Sequence, residues 1–189
     1  MCGIIGYTGS REAVPILLDG LASLEYRGYD SAGIAVVAPS GSVAVRKAPG
    51  KLNNLVSSID DSLPIGKVGI GHTRWATHGA PNESNAHPHT DCRGEVVVVH
   101  NGIVENHLEL KRDLLEQGHT FNSETDSEVI PHLIESLLGE GFTPEEATRQ
   151  AALRLVGAHA VVAIYNREPE KLLAFRIGNA GGIVVGYGE

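Results

Sequence analysis

The sequence predicts an α+β fold in which antiparallel sheets and helices occupy separate layers. Predicted strands lie toward both ends of the chain, and predicted helices cluster in its middle. The strict strand–helix alternation that is typical of parallel sheets is absent. With 189 residues, the chain has about 1.3 times the usual length of one domain, so a single domain is expected.

Each predicted strand is a short apolar or alternating run bounded by turn residues. The predicted strands cover residues 2–7, 33–38, 42–47, 68–72, 95–100, 158–165, 171–177 and 182–187. Four consecutive valines at 96–99 predict a strand that is buried on both faces. The pair Asn101-Gly102, which follows that strand, has the composition of a tight turn.

Apolar residues spaced by three and four predict helices in the remaining segments. They cover about residues 13–25, 51–59, 106–117, 129–138 and 143–155. Thr125 with Glu128, and Thr143 with Glu146, have the spacing of capping boxes at helix starts. Pro131 is expected to kink its helix or to shift the start of that helix.

Composition excludes several functional classes. The net charge of −8 argues against a nucleic-acid partner and against an anionic membrane surface. No apolar run reaches the length of a membrane span, and the N-terminus lacks the basic region of a signal peptide. We therefore expect a cytoplasmic protein. With only two cysteines, Cys2 and Cys92, no disulfide framework is expected.

Two segments suggest chemistry. Residues 73–90 form a long polar stretch rich in His, Asn, Gly and Pro, and long loops of this kind are usually functional. Cys2 would begin the chain after removal of the initiator Met1. Its thiol and its α-amine would then lie on one residue, and the amine can act as the base for the thiol. The alternative is a small buried residue at the start of a strand.

Several motifs occur in a fixed order along the chain. They are residues 1–6 (MCGIIG), 24–33 (LEYRGYDSAG), 72–79 (HTRWATHG), 85–89 (NAHPH), 100–103 (HNGI) and 124–126 (ETD). Together they resemble the glutaminase half of the glucosamine-6-phosphate synthase family, over essentially the whole chain. Other class II glutamine amidotransferases share the Cys start, but segments 26–33 and 74–89 look like the hexosamine enzymes.

The resemblance implies an N-terminal nucleophile (Ntn) hydrolase fold, a four-layer αββα sandwich with two antiparallel sheets. It implies hydrolysis of the glutamine side-chain amide to glutamate and ammonia through a γ-glutamyl thioester on Cys2, without a metal or an organic cofactor. It also implies that Asn101 and Gly102 form the oxyanion hole, although a plain hairpin turn is the alternative at this pair.

Glutamine carries an α-carboxylate and an α-ammonium group. Arg74 matches the family residue that binds the carboxylate, and Asp126 matches the one that binds the ammonium. The alternatives are a surface salt bridge for Arg74 and charge stabilisation of a helix N-terminus for Asp126.

Other matched residues have supporting roles in the family. Thr77 and His78 resemble residues of a mobile loop over glutamine, and Gly79 suits the hinge of such a lid. Trp75 matches a lid residue that gates ammonia passage, unless it only packs the loop. Arg27 matches a residue that holds the N-terminal catalytic region, with a purely structural role as the alternative.

The sequence assigns no role to Asn85, His87 and His89. A zinc site of His87, His89, Asp91 and Cys92 is the competing interpretation. It is disfavoured because only one cysteine is usable and the Cys/His pairs typical of structural zinc are missing. Cys92 is therefore expected to be incidental.

The family enzymes continue into two sugar-isomerase (SIS) domains. We expect this chain to be a glutaminase domain cut short at its C-terminal end, without the SIS domains. Glutamine is then its direct partner, and fructose 6-phosphate would bind only through the missing domains of a full-length, homo-oligomeric enzyme. The alternatives are the glutaminase domain of another class II amidotransferase and a non-catalytic glutamine-binding module.

Overall fold

Two four-stranded antiparallel sheets form the centre of the molecule. The computed structural model describes residues 2–60, 63–75 and 79–187. The first sheet has the order β1-β4-β2-β3 and the second the order β5-β6-β7-β8. Their strands are β1 Gly3–Thr8, β2 Ser31–Val37, β3 Val43–Pro49, β4 Val68–Arg74, β5 His89–Thr90, β6 Val96–Gly102, β7 His159–Tyr165 and β8 Leu172–Ile177.

Helices cover the outer face of each sheet. The first sheet packs against α1 (Ala13–Leu24) and α2 (Leu52–Ser58). The second packs against a group formed by α3 (His107–Glu116), α4 (Val129–Gly139) and α5 (Pro144–Arg154). The layers therefore run helix, sheet, sheet, helix.

Strand alternation builds this four-layer order. Ile34 and Val36 of β2 face α1 and α2, whereas Ala35 and Val37 face the second sheet. In β6 the valines at 96 and 98 face α4 and those at 97 and 99 face the first sheet. The predicted four-layer sandwich and the predicted burial of β6 on both faces are thus confirmed.

One strand prediction and one turn prediction are wrong. Residues 182–187 form no strand, and Val184 and Tyr187 are almost fully exposed. Alternating apolar residues are not enough for a strand when no neighbouring backbone pairs with them. Asn101-Gly102 forms no hairpin turn but continues β6, opposite Ala160 and His159 of β7.

The two capping-box predictions have different outcomes. Thr143 caps α5 as predicted, because its hydroxyl accepts from the Glu146 N–H at 3.3 Å. Thr125 does not cap a helix, and its hydroxyl instead contacts His89 Nε2 at 2.9 Å. A short 3-10 turn at Asp126–Glu128 precedes α4. α4 itself begins at Val129, the start that the apolar spacing predicted, and Pro131 lies in its first turn, where proline is tolerated.

No helix within the described ranges is both long enough and apolar enough to cross a membrane.

Candidate active site

The Cys2 thiol lies at the C-terminal end of β4. Gly3 pairs with Thr73 across the β1–β4 ladder, which brings Cys2 beside the residues that follow Thr73. The backbone N–H of Trp75 donates to Cys2 Sγ at 3.2 Å, and the thiol lies 3.6 Å from the Trp75 carbonyl oxygen. The strand pairing therefore holds the thiol against a backbone amide and carbonyl.

Burial raises the pKa of the Cys2 thiol above its ordinary value. The hydrogen bond from the Trp75 amide and the positive charge of Arg74 act against this effect without cancelling it. The thiol is therefore protonated at neutral pH, and a nucleophilic thiolate at this position needs a base.

Asn101, at the end of β6, points its amide at Cys2. Its Nδ2 donates to the Cys2 carbonyl oxygen at 3.2 Å. The opposite side of the amide faces His72, whose Nε2 lies 3.0 Å from Asn101 Oδ1 and 3.1 Å from the His100 carbonyl oxygen. Both partners are acceptors, so Nε2 carries the proton and donates. This fixes the amide with its NH₂ group toward Cys2.

His72 is a site residue that the sequence did not single out. It is 1% exposed, and burial lowers its pKa to about 4. Its hydrogen bonds to Asn101 and His100 act in the opposite direction but are outweighed. Its ring stacks on that of His87, with centroids 4.2 Å apart. His72 is therefore neutral at pH 7, with its single ring proton on Nε2. The HTRWATHG segment contains this histidine, but only the β4–β6 contact reveals its role.

Gly102 follows Asn101 and allows no side chain. Its φ is 142°, and an added Cβ would lie 2.2 Å from the Ala158 carbonyl oxygen. β6 thus ends with a side-chain amide followed directly by a residue that has no side chain.

Arg74 and Asp126 are both buried, at 4% and 5% exposure. Burial lowers the pKa of Arg74, and the charges of Cys2 and Asp126 oppose this shift, which places all three groups in one electrostatic neighbourhood. Asp126 Oδ2 accepts the Val104 N–H at 2.7 Å, and Arg74 Nη1 reaches the Ala80 carbonyl oxygen at 3.4 Å. The Arg74 cation therefore lies near the thiol, and the Asp126 anion lies near Arg74.

The segment after Arg27 packs against the end of β4. An added Cβ at Gly28 would lie 2.6 Å from the carbonyl carbon of Arg74, and Asp30 N–H donates to the Arg74 carbonyl at 3.0 Å. Gly28 thus allows the close approach of its backbone to the end of β4. Arg27 itself contacts Tyr26, with Nε 3.1 Å from the phenol oxygen.

Trp75 is 44% exposed and its ring lies edge-on to Tyr29 at 5.5 Å. Thr77 and His78 lie outside the described residues. Gly79, directly after them, has a φ of +73°. The positive φ suits the hinge role expected for this glycine.

Asn85 connects this loop to the Asp126 segment. It is fully buried, and its Nδ2 donates to the Ala80 carbonyl at 3.1 Å and to Glu124 Oε2 at 3.2 Å. Its Oδ1 accepts the Glu124 N–H at 2.9 Å. Asn85 thus ties the base of the loop to the residues that precede Asp126.

The histidines of the NAHPH motif lie in the core rather than in a flexible loop. His87 packs between the rings of His72 and His89, and burial lowers the pKa of both His87 and His89. The zinc set considered from the sequence does not assemble, because Cys92 Sγ lies instead beside His119 and His132.

Comparisons with known proteins identify the family. Residues 72–179, more than half of the chain, match the glutamine amidotransferase domain family. Among curated relatives, the glutamine–fructose-6-phosphate aminotransferase (isomerizing) of Pyrococcus horikoshii is 52% identical over the whole chain. The protein of the same name from Symbiobacterium thermophilum is 54% identical, again over the whole chain.

This chain spans less than a third of the length of either relative, 31% and 30% respectively. Among solved structures, glutamine phosphoribosylpyrophosphate amidotransferase from B. subtilis aligns with a TM-score of 0.74 and 30% identity. That alignment covers 88% of this chain and 35% of the other. The chain therefore belongs to the glutamine amidotransferase domain family and has the Ntn-hydrolase fold.

Proposed function

We propose that this chain hydrolyses the side-chain amide of glutamine to glutamate and ammonia, with Cys2 as the nucleophile. The observation that carries the proposal is the setting of Cys2. Its thiol lies against the Trp75 backbone, its carbonyl oxygen accepts from the Asn101 amide, and the Arg74 charge acts on the thiol.

Because the pKa of the Cys2 thiol is raised, the thiol must give up its proton to a base in the first step. After Met1 is removed, the α-amine of Cys2 takes the thiol proton as sulfur attacks the amide carbon of glutamine. The carbonyl oxygen becomes an oxyanion, which Asn101 Nδ2 and the Gly102 N–H stabilise. The ammonium proton then passes to the leaving nitrogen, ammonia departs, and a γ-glutamyl thioester remains. Water attacks this thioester, which releases glutamate and regenerates the thiol.

Two buried charged residues, Arg74 and Asp126, recognise the two charged groups of glutamine. Arg74 binds the α-carboxylate through its guanidinium group, and Asp126 binds the α-ammonium. The Asp126 oxygen that accepts from Val104 keeps the carboxylate oriented at 2.7 Å, so its other oxygen is the one offered to substrate. In this proposal Thr77 and His78 also bind glutamine. Trp75 gates the passage of ammonia, and Gly79 is the hinge of the loop over glutamine.

We further propose that the ammonia supplies glucosamine 6-phosphate synthesis from fructose 6-phosphate in a larger, homo-oligomeric enzyme. The identities of 52% and 54% to proteins named for that reaction favour this acceptor over a phosphoribosyl acceptor, for which the structural relative is 30% identical.

The test is glutamate release by the parent chain and by Cys2→Ala, with glutamine binding measured by calorimetry on both. We expect the variant to bind glutamine and to release no glutamate. Glutamate release by Cys2→Ala would exclude the proposed nucleophile. Binding without turnover by a parent chain that begins at Cys2 would favour a glutamine-binding module instead.

A further inference from the structure

A second cluster of reactive side chains lies on elements that the Cys2 site does not use. It comprises Cys92, His119, His132 and Glu135, whose ligand atoms all lie within 4.8 Å of one another. Cys92 lies in the turn between β5 and β6, and His119 follows α3. His132 and Glu135 lie one turn apart on α4. We propose that these four side chains form a structural zinc site.

Four distances between ligand atoms can be compared with those of tetrahedral zinc coordination. Zinc bonds of about 2.3 Å to sulfur and about 2.0–2.1 Å to nitrogen or oxygen place S and N about 3.6 Å apart, and N and O about 3.3 Å apart. Cys92 Sγ lies 3.6 Å from His119 Nδ1 and 3.5 Å from His132 Nδ1. Glu135 Oε2 lies 3.4 Å from His132 Nδ1 and 2.9 Å from His119 Nδ1. Three of these four distances fall within about 0.1 Å of the tetrahedral values, and only the last is shorter.

The donor set selects the metal. One thiolate, two imidazoles and one carboxylate are all zinc ligands, whereas magnesium and calcium prefer oxygen alone. Four protein ligands close the coordination shell, which is the arrangement of structural rather than catalytic zinc.

Surrounding groups orient the ligands in the way that metal sites require. The Thr120 N–H donates to Cys92 Sγ at 3.4 Å, as expected around a thiolate ligand. Glu135 Oε1 lies 3.8 Å from Arg93 Nε, which leaves Oε2 for the cluster. The far nitrogen of the His132 ring, Nε2, lies 3.7 Å from Glu128 Oε1, beyond hydrogen-bond distance but with a carboxylate on that side of the ring.

A zinc ion here would join three parts of the second half of the chain. It would hold the β5–β6 turn and the α3–α4 connection against α4. His132 is fully buried while Cys92 is exposed, so the ion would enter from the surface and bind a ligand fixed in the core. The segment between His119 and His132 contains Asp126, so the site would also stabilise the residues that present this carboxylate.

The test is a zinc titration of the chain against a chromophoric chelator, in a Cys2→Ala background. This background removes the thiol of an N-terminal cysteine, which with its amine could chelate zinc by itself. We expect one zinc per chain. Adding Cys92→Ala or Glu135→Gln should weaken the affinity by more than about 100-fold. Adding His107→Gln, a matched change at the first residue of α3 and outside the cluster, should leave it unchanged.

Two further measurements do not depend on the variants. Cobalt in place of zinc should give the strong visible bands of a tetrahedral ion and a thiolate-to-cobalt charge-transfer band. Zinc at about a thousandfold above its Kd should raise the Tm by about 8–16 °C. Absence of zinc binding by the folded chain would overturn the proposal, as would an unchanged affinity after loss of Cys92.

Discussion

His72 connects the candidate active site to the acid stability of the fold. The His72→Gln variant keeps a nitrogen donor at about the distance of Nε2, so the hydrogen bond to Asn101 Oδ1, 3.0 Å in the parent, can be retained. The substitution removes the imidazole ring, which is the group that takes up a proton at low pH. We therefore expect little change in glutaminase turnover and a large change in the pH dependence of stability.

The size of this change follows from the pKa of His72. The unfolded chain protonates this histidine near pH 6.5, whereas the folded site holds the pKa at about 4 because the ring is buried. The unfolded state thus binds more protons, and stability falls as the pH drops from 6.5 toward 4. Between pH 7.5 and pH 5 the loss from His72 alone is about 2 kcal/mol.

The assay is urea unfolding of the parent and of His72→Gln at pH 7.5 and pH 5, with His107→Gln as a control. Over that range the free energy of unfolding of the variant should fall by about 2 kcal/mol less than that of the parent. The control on α3 should behave like the parent. Equal losses in the parent and in His72→Gln would refute the neutral, buried His72 on which the orientation of Asn101 rests.

Three other changes test separate parts of the site. Asn101→Ala should lower kcat by about 10²–10³-fold with little change in KM, because it removes the proposed oxyanion donor and leaves the proposed glutamine ligands Arg74 and Asp126 unchanged; a selective rise in KM would contradict this. Arg74→Lys should raise KM at least about 10-fold, since a bidentate fork becomes a point charge; an unchanged KM would assign Arg74 to structure alone. Gly28→Ala should lower both thermal stability and turnover. Its added Cβ would lie 2.6 Å from the Arg74 backbone and would displace it, together with the Trp75 amide that donates to Cys2. Gly94→Ala is the control for backbone strain without a clash, because its φ is +67° and its added Cβ meets no neighbour.

Local patterns predicted most of the fold. The apolar alternation of β2, the valine run of β6 and the Thr143 cap each depend on neighbours in sequence, and the structure confirms them. Residues 182–187 have a strand-like pattern but no pairing partner, which the pattern does not contain. The residues Asn101-Gly102 are typical of a turn, but they pair with β7 and so continue strand β6. Pairing between distant segments therefore decides these two cases.

The site was predictable only through resemblance to a family. No local pattern connects Cys2 with Asn101, which meet through the packing of the two sheets. His72 and Asn85 stood within recognised motifs, but their roles depend on contacts with Asn101 and Glu124 that are distant in sequence. The same limit applies to Cys92, which appeared incidental because its neighbours His119 and His132 lie far along the chain.

The most direct test of the central claim combines two observations on one sample: the intact mass of the chain and its rate of glutamate release. The proposed mechanism needs both the thiol and the α-amine of Cys2. Turnover should therefore scale with the fraction of molecules that lack Met1, and an acid quench should trap one glutamyl group on those molecules. Full turnover by a preparation in which every chain retains Met1 would contradict the mechanism.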